Sequence, residues 1–469
     1  MKKKINENVY KLDGKVPIKE AIPLGLQHVL AMFAGNLTPI IIIASMCGIA
    51  SGSPLQITII QNAMVISGLV TLIQIIGLGP VGGKLPIVMG TSSGFVGVSK
   101  SIVATMGGGV VAYGAILGAT LIGGLFEGVL GLFLKPLRRF FPPIVTGTVV
   151  LSIGLSLITV GIKYFGGGFG VKDFGSLQNL FIATLVLVTI VFFKHTNNSF
   201  LSATSILIGI IVGYILSAVM TGFLPNTFMV EGQEITKSWV LQWDKVQNAG
   251  FFSIPKLLPV KLVFDLRAII PMLIMFIVTA VETIGDVSGI TQGGLKREAT
   301  DKEISGSVMC DGVGSSLASV FGVLPNTSFS QNVGLVGMTG IVNRFVVMLG
   351  GIFLLCCGFF PKLAAVVSIM PNSVLGGAAV MMFASIAVSG IQLITKEPIT
   401  SRNVTILIVS LGLGYGLGST PGVLDNLPSF VNLIFGGSGI VPAAIFSIFL
   451  NIILPKDSSH EKAKAEMSM

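Results

Sequence analysis

The chain has 469 residues, of which 52% are hydrophobic and 10% charged, with 60 glycines and a formal net charge of +9. Soluble domains carry about 25% charged residues, so a large soluble protein is excluded and a polytopic membrane protein is implied. The positive residues cluster in short connections, as they do in loops on the inner side of a membrane, which is not a nucleic-acid footprint.

The charged start, MKKKINENVYKLDGK, lacks the apolar core and cleavage site of a secretory signal and reads as a cytoplasmic tail over residues 1–20. A helix needs about 20 mostly apolar residues to cross the hydrocarbon core. Such stretches occur near 21–46, 54–79, 104–133, 143–165, 177–194, 199–220, 266–290, 304–322, 340–360, 371–394, 402–420 and 430–454. Two more, near 83–101 and 324–339, are too polar and too interrupted for ordinary spans. Counting them gives fourteen crossings with both ends inside. The inner loops then include KPLRR (135–139), FFKHTNN (192–198), GGLKREATDK (293–302) and KEPITSR (396–402), and the last tail is KDSSHEKAKAE. That distribution satisfies the positive-inside rule. Segment 221–265, with Trp243 and several Phe, reads as an outer loop with a surface-lying portion. The four cysteines (Cys47, Cys310, Cys356, Cys357) lie in apolar runs without metal-ligand spacing and read as buried small residues, with no disulfide framework.

The chain resembles itself. GKLPIVMGTSSGF (83–95) lies on FGVLPNTSFSQNVG (321–334) when Leu85-Pro86 is set on Leu324-Pro325, which puts Thr91, Ser92 and Ser93 on Ser330, Gln331 and Asn332. A second pair, PPIVTGTVV (142–150) on PNSVLGGAA (371–379), sets Pro142 on Pro371 and Gly147 on Gly376. A unit of about seven spans is therefore duplicated, and an odd number makes the second copy inverted. Inverted repeats with paired broken spans indicate a secondary transporter whose substrate sits near the midplane. Proline keeps each broken segment from forming a continuous helix. A short helix can then start mid-membrane with free N–H groups toward a ligand.

Acids inside spans mark the chemistry. Glu282 and Asp286 are four residues apart in LRAIIPMLIMFIVTAVETIGDVSGI, on one helical face. A buried carboxylate costs several kcal/mol unless it is paired, hydrated or protonated, the condition a proton-coupled carrier exploits. Asp311, in VMCDGVGSSLASV, is a further proton-coupling candidate or a hydrogen-bonding strut. Glu127 is expected to pair with Arg138 or Arg139 and is left outside the site. Gln331 and Asn332 each offer a donor and an acceptor. Ser330, Ser93 and Gly94 stand beside them in the paired segments, Phe95 can supply an apolar face, and His28 follows Gln27 in the first span. Such a set suits a flat neutral molecule with alternating N–H and C=O edges. No cluster of fixed positive charge favours phosphate or sulfate, and no nucleophile–base pair, metal cluster or cofactor motif favours an enzyme.

Gln331-Asn332-Val333-Gly334, four residues and then Thr339-Gly340 fit the signature of the nucleobase–ascorbate transporters, and Gln27-His28 resembles that family's Q-H motif. The resemblance implies an all-α membrane protein of fourteen segments in two inverted halves of seven, with segments three and ten broken and carrying short β-strands. It implies a core domain (21–134 and 266–362) and a gate domain (135–220 and 363–455) separated by the outer loop 221–265, with a cytoplasmic C-terminal tail, 456–469. A homodimer through the gate, in the lipid of the bacterial inner membrane, and proton symport without a cofactor follow from the same resemblance. The substrate-holding acid falls on Glu282, the next acid on Asp311 and the polar pair on Gln331 and Asn332. Gln in the first signature position goes with xanthine or uric acid transporters, so a purine base is the expected substrate. Gly94, where xanthine-selective members often carry a larger polar residue, leaves space for uric acid. Asp286 stands where uracil members can carry a His. A uracil or other nucleobase permease of the same family is the alternative, and an anion carrier of the same architecture, a membrane enzyme and a channel are the further rival readings.

Overall fold

The computed structural model describes residues 6–134, 141–420 and 439–455, with scattered positions between 422 and 435. The basic loop 135–139, with Arg138 and Arg139, and the tail from 456 onward lie outside the described residues. In chain order the first half holds α1 (Ile18–Met46), α2 (Pro54–Ile76), β1 (Met89–Thr91), α3 (Phe95–Thr105), α4 (Gly109–Leu132), α5 (Pro143–Phe165), α6 (Leu177–Lys194) and α7 (Ser205–Phe223). A hairpin of β2 (Thr227–Val230) and β3 (Gln233–Thr236) follows. The second half holds α8 (Leu266–Ile290), α9 (Asp301–Val320), β4 (Asn326–Ser328), α10 (Ser330–Thr339), α11 (Arg344–Cys357), α12 (Pro361–Ser368), α13 (Asn372–Ile394), α14 (Ser401–Val409) and α15 (Ile440–Ile453).

Among the described residues, eight helices are long and apolar enough to cross a membrane: α1, α2, α4, α5, α6, α7, α8 and α13. α11 and α12 together make a ninth candidate, bent by 86° at the break before Pro361. The remaining expected spans are shorter or interrupted. α9 is rich in Ser and Gly, and α14 runs into a π-helical turn, Ser410–Tyr415.

Local chemistry sets these boundaries. Ser53 caps α2 ahead of Pro54 at its first turn. Thr300 and Glu303 close a capping box at the start of α9. Gly340, at φ 72°, ends α10 in the left-handed conformation that glycine takes freely.

The contacts are symmetric on exchange of the halves. α4 packs on α9 and α2 on α11; α8 packs on α4 and α1 on α11. α5 and α13, each 23 residues, start just after Pro142 and Pro371 and lie antiparallel. Gly147 faces Gly390, Gly154 faces Ala387 and Gly376 faces Phe165, the small-residue contact that lets helix backbones approach.

At the centre β1 pairs antiparallel with β4, Met89 opposite Ser328, Gly90 opposite Thr327 and Thr91 opposite Asn326. All six residues are buried, so every main-chain group there needs a partner. Helix side chains supply several. Thr71 Oγ1 accepts from Met89 N–H at 2.9 Å, Asn36 Oδ1 from Thr91 N–H at 2.7 Å, and Ser315 Oγ from Asn326 N–H at 3.0 Å. Ser92 N–H donates to Pro325 O and Phe329 N–H to Val88 O.

The structure corrects three local expectations. Laying β1 on β4 in chain order about the central Gly90–Thr327 pair sets Ser93 on Ser330 and Gly94 on Gln331, because Ile87 and Val88 separate Pro86 from β1 whereas Pro325 adjoins β4 directly. Superposing the Leu-Pro pairs is thus out by two residues within the site. Segment 221–265 is more than a loop: Trp239 is fully buried, and residues 253–263 bond to Phe359, Val320 and Gly114 at the ends of three helices or turns. Cys47 and Cys310 are buried, but Cys356 is exposed. The start of the chain is also docked, since Asn343 Nδ2 donates to the carbonyls of Asn8, Lys11 and Gly14.

Candidate substrate site

α8 turns a polar edge toward β4. Thr279, Glu282, Thr283 and Asp286 follow at helical spacing within an otherwise apolar helix. Asp286 is buried, and its carboxylate gathers two serines: Ser328 Oγ donates to Oδ2 at 2.7 Å, and Ser330 Oγ reaches Oδ1 at 2.9 Å and Oδ2 at 3.2 Å. Ser328 Oγ also lies 3.1 Å from Thr283 Oγ1, which donates to Asp311 Oδ2 from α9. A line of polar contacts therefore runs from Asp311 through Thr283 and Ser328 to Asp286 and Ser330, its Thr283–Ser328 link a 3.1 Å hydroxyl contact in which either oxygen can donate.

α10 begins at Ser330, and its N-cap residue, Phe329, offers no side-chain cap. The first N–H groups of such a helix carry partial positive charge and suit an electron-rich ligand atom. Ser330 and Gln331 of this first turn, with Glu282 of α8, line one cleft of about 230 Å³. Its opposite wall comes from Val150 of α5, Ser205 and Ile206 of α7, and Met382, Ser385 and Ser389 of α13, with Lys194 at the end of α6. Glu282 and Gln331 are half-buried, as side chains meeting a ligand must be. A larger groove, about 920 Å³, lies among the loops at Lys84, Glu303 and Arg344 and contains none of the predicted site residues.

The other predicted residues stand behind this wall. Asn332 Nδ2 donates to His28 Nδ1 at 2.5 Å, and Asn332 Oδ1 accepts from Val88 N–H at 3.2 Å. This bonding fixes the His28 tautomer with its proton on Nε2, which is buried without a partner among the described residues. Phe95 is fully buried against Phe276, ring centroids 4.7 Å apart, and faces protein in this conformation. Ser93 is half-buried beside it. The space expected at Gly94 is filled: a Cβ there would stand 3.1 Å from Met275 Cε and 3.4 Å from Ser92 Oγ. Missing from the sequence reading were Asn36, Thr71, Ser67, Thr283, Ser315 and Ser328. Ser67 Oγ donates to Asn36 Oδ1 at 2.8 Å. The available signal was an amide or hydroxyl interrupting an apolar helix, as Asn36 does in AMFAGNLTPI. Glu127 is fully buried and accepts from Thr279 Oγ1 at 3.0 Å.

A model described as Permease family matches residues 19–422. A Clostridium perfringens protein provisionally named a purine permease is 37% identical over 446 residues, 95% of this chain and 93% of its own length. The xanthine permease XanP of Escherichia coli (strain K12) is 32% identical over 464 residues, 96% of each chain. The transmembrane domain of the cyanobacterial bicarbonate transporter BicA has a similar fold, with TM-score 0.54 at 16% identity over 93% of this chain and 99% of that one.

Proposed function

Because the chain belongs to the nucleobase–ascorbate transporter family of permeases, we propose that it is a proton-coupled symporter importing a purine base, xanthine or uric acid or both, by alternating access. It is a multi-pass membrane transporter and not an enzyme. The observation that carries the substrate reading is the convergence of Glu282, Ser330 and Gln331 on one cleft between two sets of helices. A carboxylate accepts two N–H groups of a base, and a primary amide answers an adjacent N–H and C=O edge. His28 holds α10 from behind through its bond with Asn332, and Ser93, Gly94 and Phe95 stand at the start of α3, Phe95 packed on Phe276 of α8. The cleft lies between α8 and α10 on one side and α5, α7 and α13 on the other, which suits a core rocking against a gate.

In this reading the core is 21–134 with 266–362 and the gate is 135–220 with 363–455. Two gates form a homodimer, fourteen segments cross the bacterial inner membrane, and both termini are cytoplasmic. No cofactor takes part, and the coupling proton is held at Glu282, Asp286 or Asp311. The carboxylate in the cleft repels sulfate and bicarbonate, so the likeness to a bicarbonate transporter extends to the fold only.

The test is uptake of radiolabelled xanthine in a strain lacking its own purine carriers, with uric acid, hypoxanthine, guanine and uracil as competitors. Xanthine or uric acid should compete best, and Glu282→Gln should abolish proton-driven uptake. Full uptake by Glu282→Gln would refute the role given to this acid.

A further inference from the structure

Glu127 takes no part in the cycle above, yet its surroundings are not those of a structural acid. It sits in α4 beside Gly128, fully buried. α4 meets α9 at this level through glycine, since a Cβ on Gly312 would run into Gly128 N and Gly124 O. Asp311 is the residue before Gly312 and Glu127 the residue before Gly128, so the two acids flank one helix contact. One oxygen of each acid is satisfied from α8: Thr279 Oγ1 donates to Glu127 Oε1 at 3.0 Å, and Thr283 Oγ1 donates to Asp311 Oδ2. The other oxygens, Glu127 Oε2 and Asp311 Oδ1, are buried with no hydrogen-bond partner among the described residues. Among the described residues the helices packed on α4 bring Asp311 on α9 and Glu282 on α8, while Lys100 on α3 and His28 on α1 make no hydrogen bond or ion pair to Glu127.

Two carboxylates in this setting would both be unpaired and would repel each other. A single carboxylic O–H between them removes one charge and gives each orphan oxygen a role, one as donor and one as acceptor. We infer that Glu127 and Asp311 share one exchangeable proton, and that Glu127 is the second half of the proton-coupling site. The pair has a route to the cleft. From Asp311 the bonds continue through Thr283, Ser328 and Asp286 to Ser330, which lines the cleft. Thr283 and Ser328 each carry one hydroxyl hydrogen, so a proton placed on Asp311 Oδ2 passes to Thr283 Oγ1 only as Thr283 turns its own O–H to Ser328 and Ser328 gives its O–H proton to Asp286; one O–H bond breaks on each group as one forms on the next, and one proton leaves Asp311 for each that reaches Asp286 beside the cleft.

This inference rests on the proton-coupled reading above, and its experiments separate the two. The first is the infrared difference spectrum of the purified protein between neutral and alkaline pH. A protonated-carboxyl C=O band should be present in the wild type and missing or shifted in both Glu127→Gln and Asp311→Asn. Absence of that band in the wild type, or its persistence unchanged in Glu127→Gln, overturns the inference whatever the substrate is. The second compares xanthine exchange with pH-gradient-driven accumulation in proteoliposomes. Glu127→Gln should lose accumulation by about tenfold or more, the worth of one hydrogen bond to a charged group, while exchange stays near wild type. Glu127→Asp should restore part of the accumulation. The double variant with Asp311→Asn should lose no more than either alone, as residues acting as a unit do. Wild-type pH dependence of accumulation in Glu127→Gln would sink the shared proton. Failure of the wild type to carry any purine would instead refute the substrate reading and leave the infrared test of the pair standing.

Discussion

Asp286 joins α8, β4 and α10, and replacing it by Asn tests whether the cleft depends on that joint. The carboxylate takes one hydrogen bond from Ser328 at 2.7 Å and another from Ser330 at 2.9 Å. A bond to a charged group contributes about 1.5–3 kcal/mol and a neutral one about 1. Asp286→Asn keeps the shape and removes the charge, so each of the two bonds weakens by about 0.5–2 kcal/mol and the pair by about 1–4 kcal/mol. If the first turn of α10 must be pinned for Gln331 to meet the base, this loss falls on binding. At 1.4 kcal/mol per tenfold, KM for xanthine rises by about 5- to 700-fold. Ser330→Ala, which removes one of the two bonds, should take roughly half of the free energy, and the two changes together should be less than additive. Initial uptake rates against concentration, corrected for the amount of protein in the membrane, give KM and Vmax. The reasoning also separates two roles for Asp286. An anchor raises KM at every pH, whereas a proton carrier changes the pH dependence of Vmax. A wild-type KM in Asp286→Asn, or full additivity with Ser330→Ala, would refute the anchor.

Gln331→Leu keeps the volume of the side chain but removes its amide, and should raise KM for xanthine by about tenfold or more, one to two hydrogen bonds' worth; equal KM values would remove Gln331 from the site. Asn332→Leu strands His28 Nδ1 and Val88 N–H, each at a cost of about 1–3 kcal/mol, and should lower the unfolding temperature in detergent as well as uptake. Gly312→Ala drives a Cβ into the α4 backbone and should destabilise by about 1–3 kcal/mol. Gly285→Ala, with nothing within 4 Å of its Cβ, should be neutral or stabilising in the same thermal assay. The start of α9 carries a pH dependence. Burial pushes the Glu303 carboxyl up, but the Arg297 guanidinium and the Thr300 N–H and hydroxyl outweigh it and hold the group below its ordinary range. A carboxylate depressed in the folded state stabilises fully above its unfolded pKa, about 4.3, and loses that contribution as pH falls through the folded value. Acidification below about pH 4 should therefore speed amide exchange at residues 300–303 in the wild type, and Glu303→Gln should flatten that response.

The apolar helices were legible because their signal is local: a run of about 20 residues that water cannot solvate. The repeat was legible where it coincides with punctuation. Pro142 and Pro371 open α5 and α13 as the superposition requires, since proline is favoured at a helix start for its missing N–H. The same logic failed between Leu85-Pro86 and β1. There the quantity that has to match between halves is the pairing of main-chain groups across the centre, to which proline can bring a carbonyl, as Pro325 does, but no N–H. A strand of three residues can shift along its segment without changing composition, so the true register was invisible until Gly90 met Thr327.

The acids show the same division between what is local and what is not. That Glu282 and Asp286 share a face follows from helical spacing alone. That Asp286 holds two serines, while Glu282 faces the cleft, depends on where β4 and α10 arrive from the far side of the chain. Sequence proximity points Glu127 to Arg138 or Arg139, which lie outside the described residues; the hydrogen bond the structure describes is accepted from Thr279, 152 residues away. In an apolar span a side chain cannot leave its acid unanswered, so the answer comes from whichever helix the glycines allow to approach. Gly124 and Gly128 on α4, meeting Gly312 on α9, make that choice here, and they make it at the level of Asp311. The small residues that look like packing material thus decide which carboxyls become neighbours, and with that which protons can be shared.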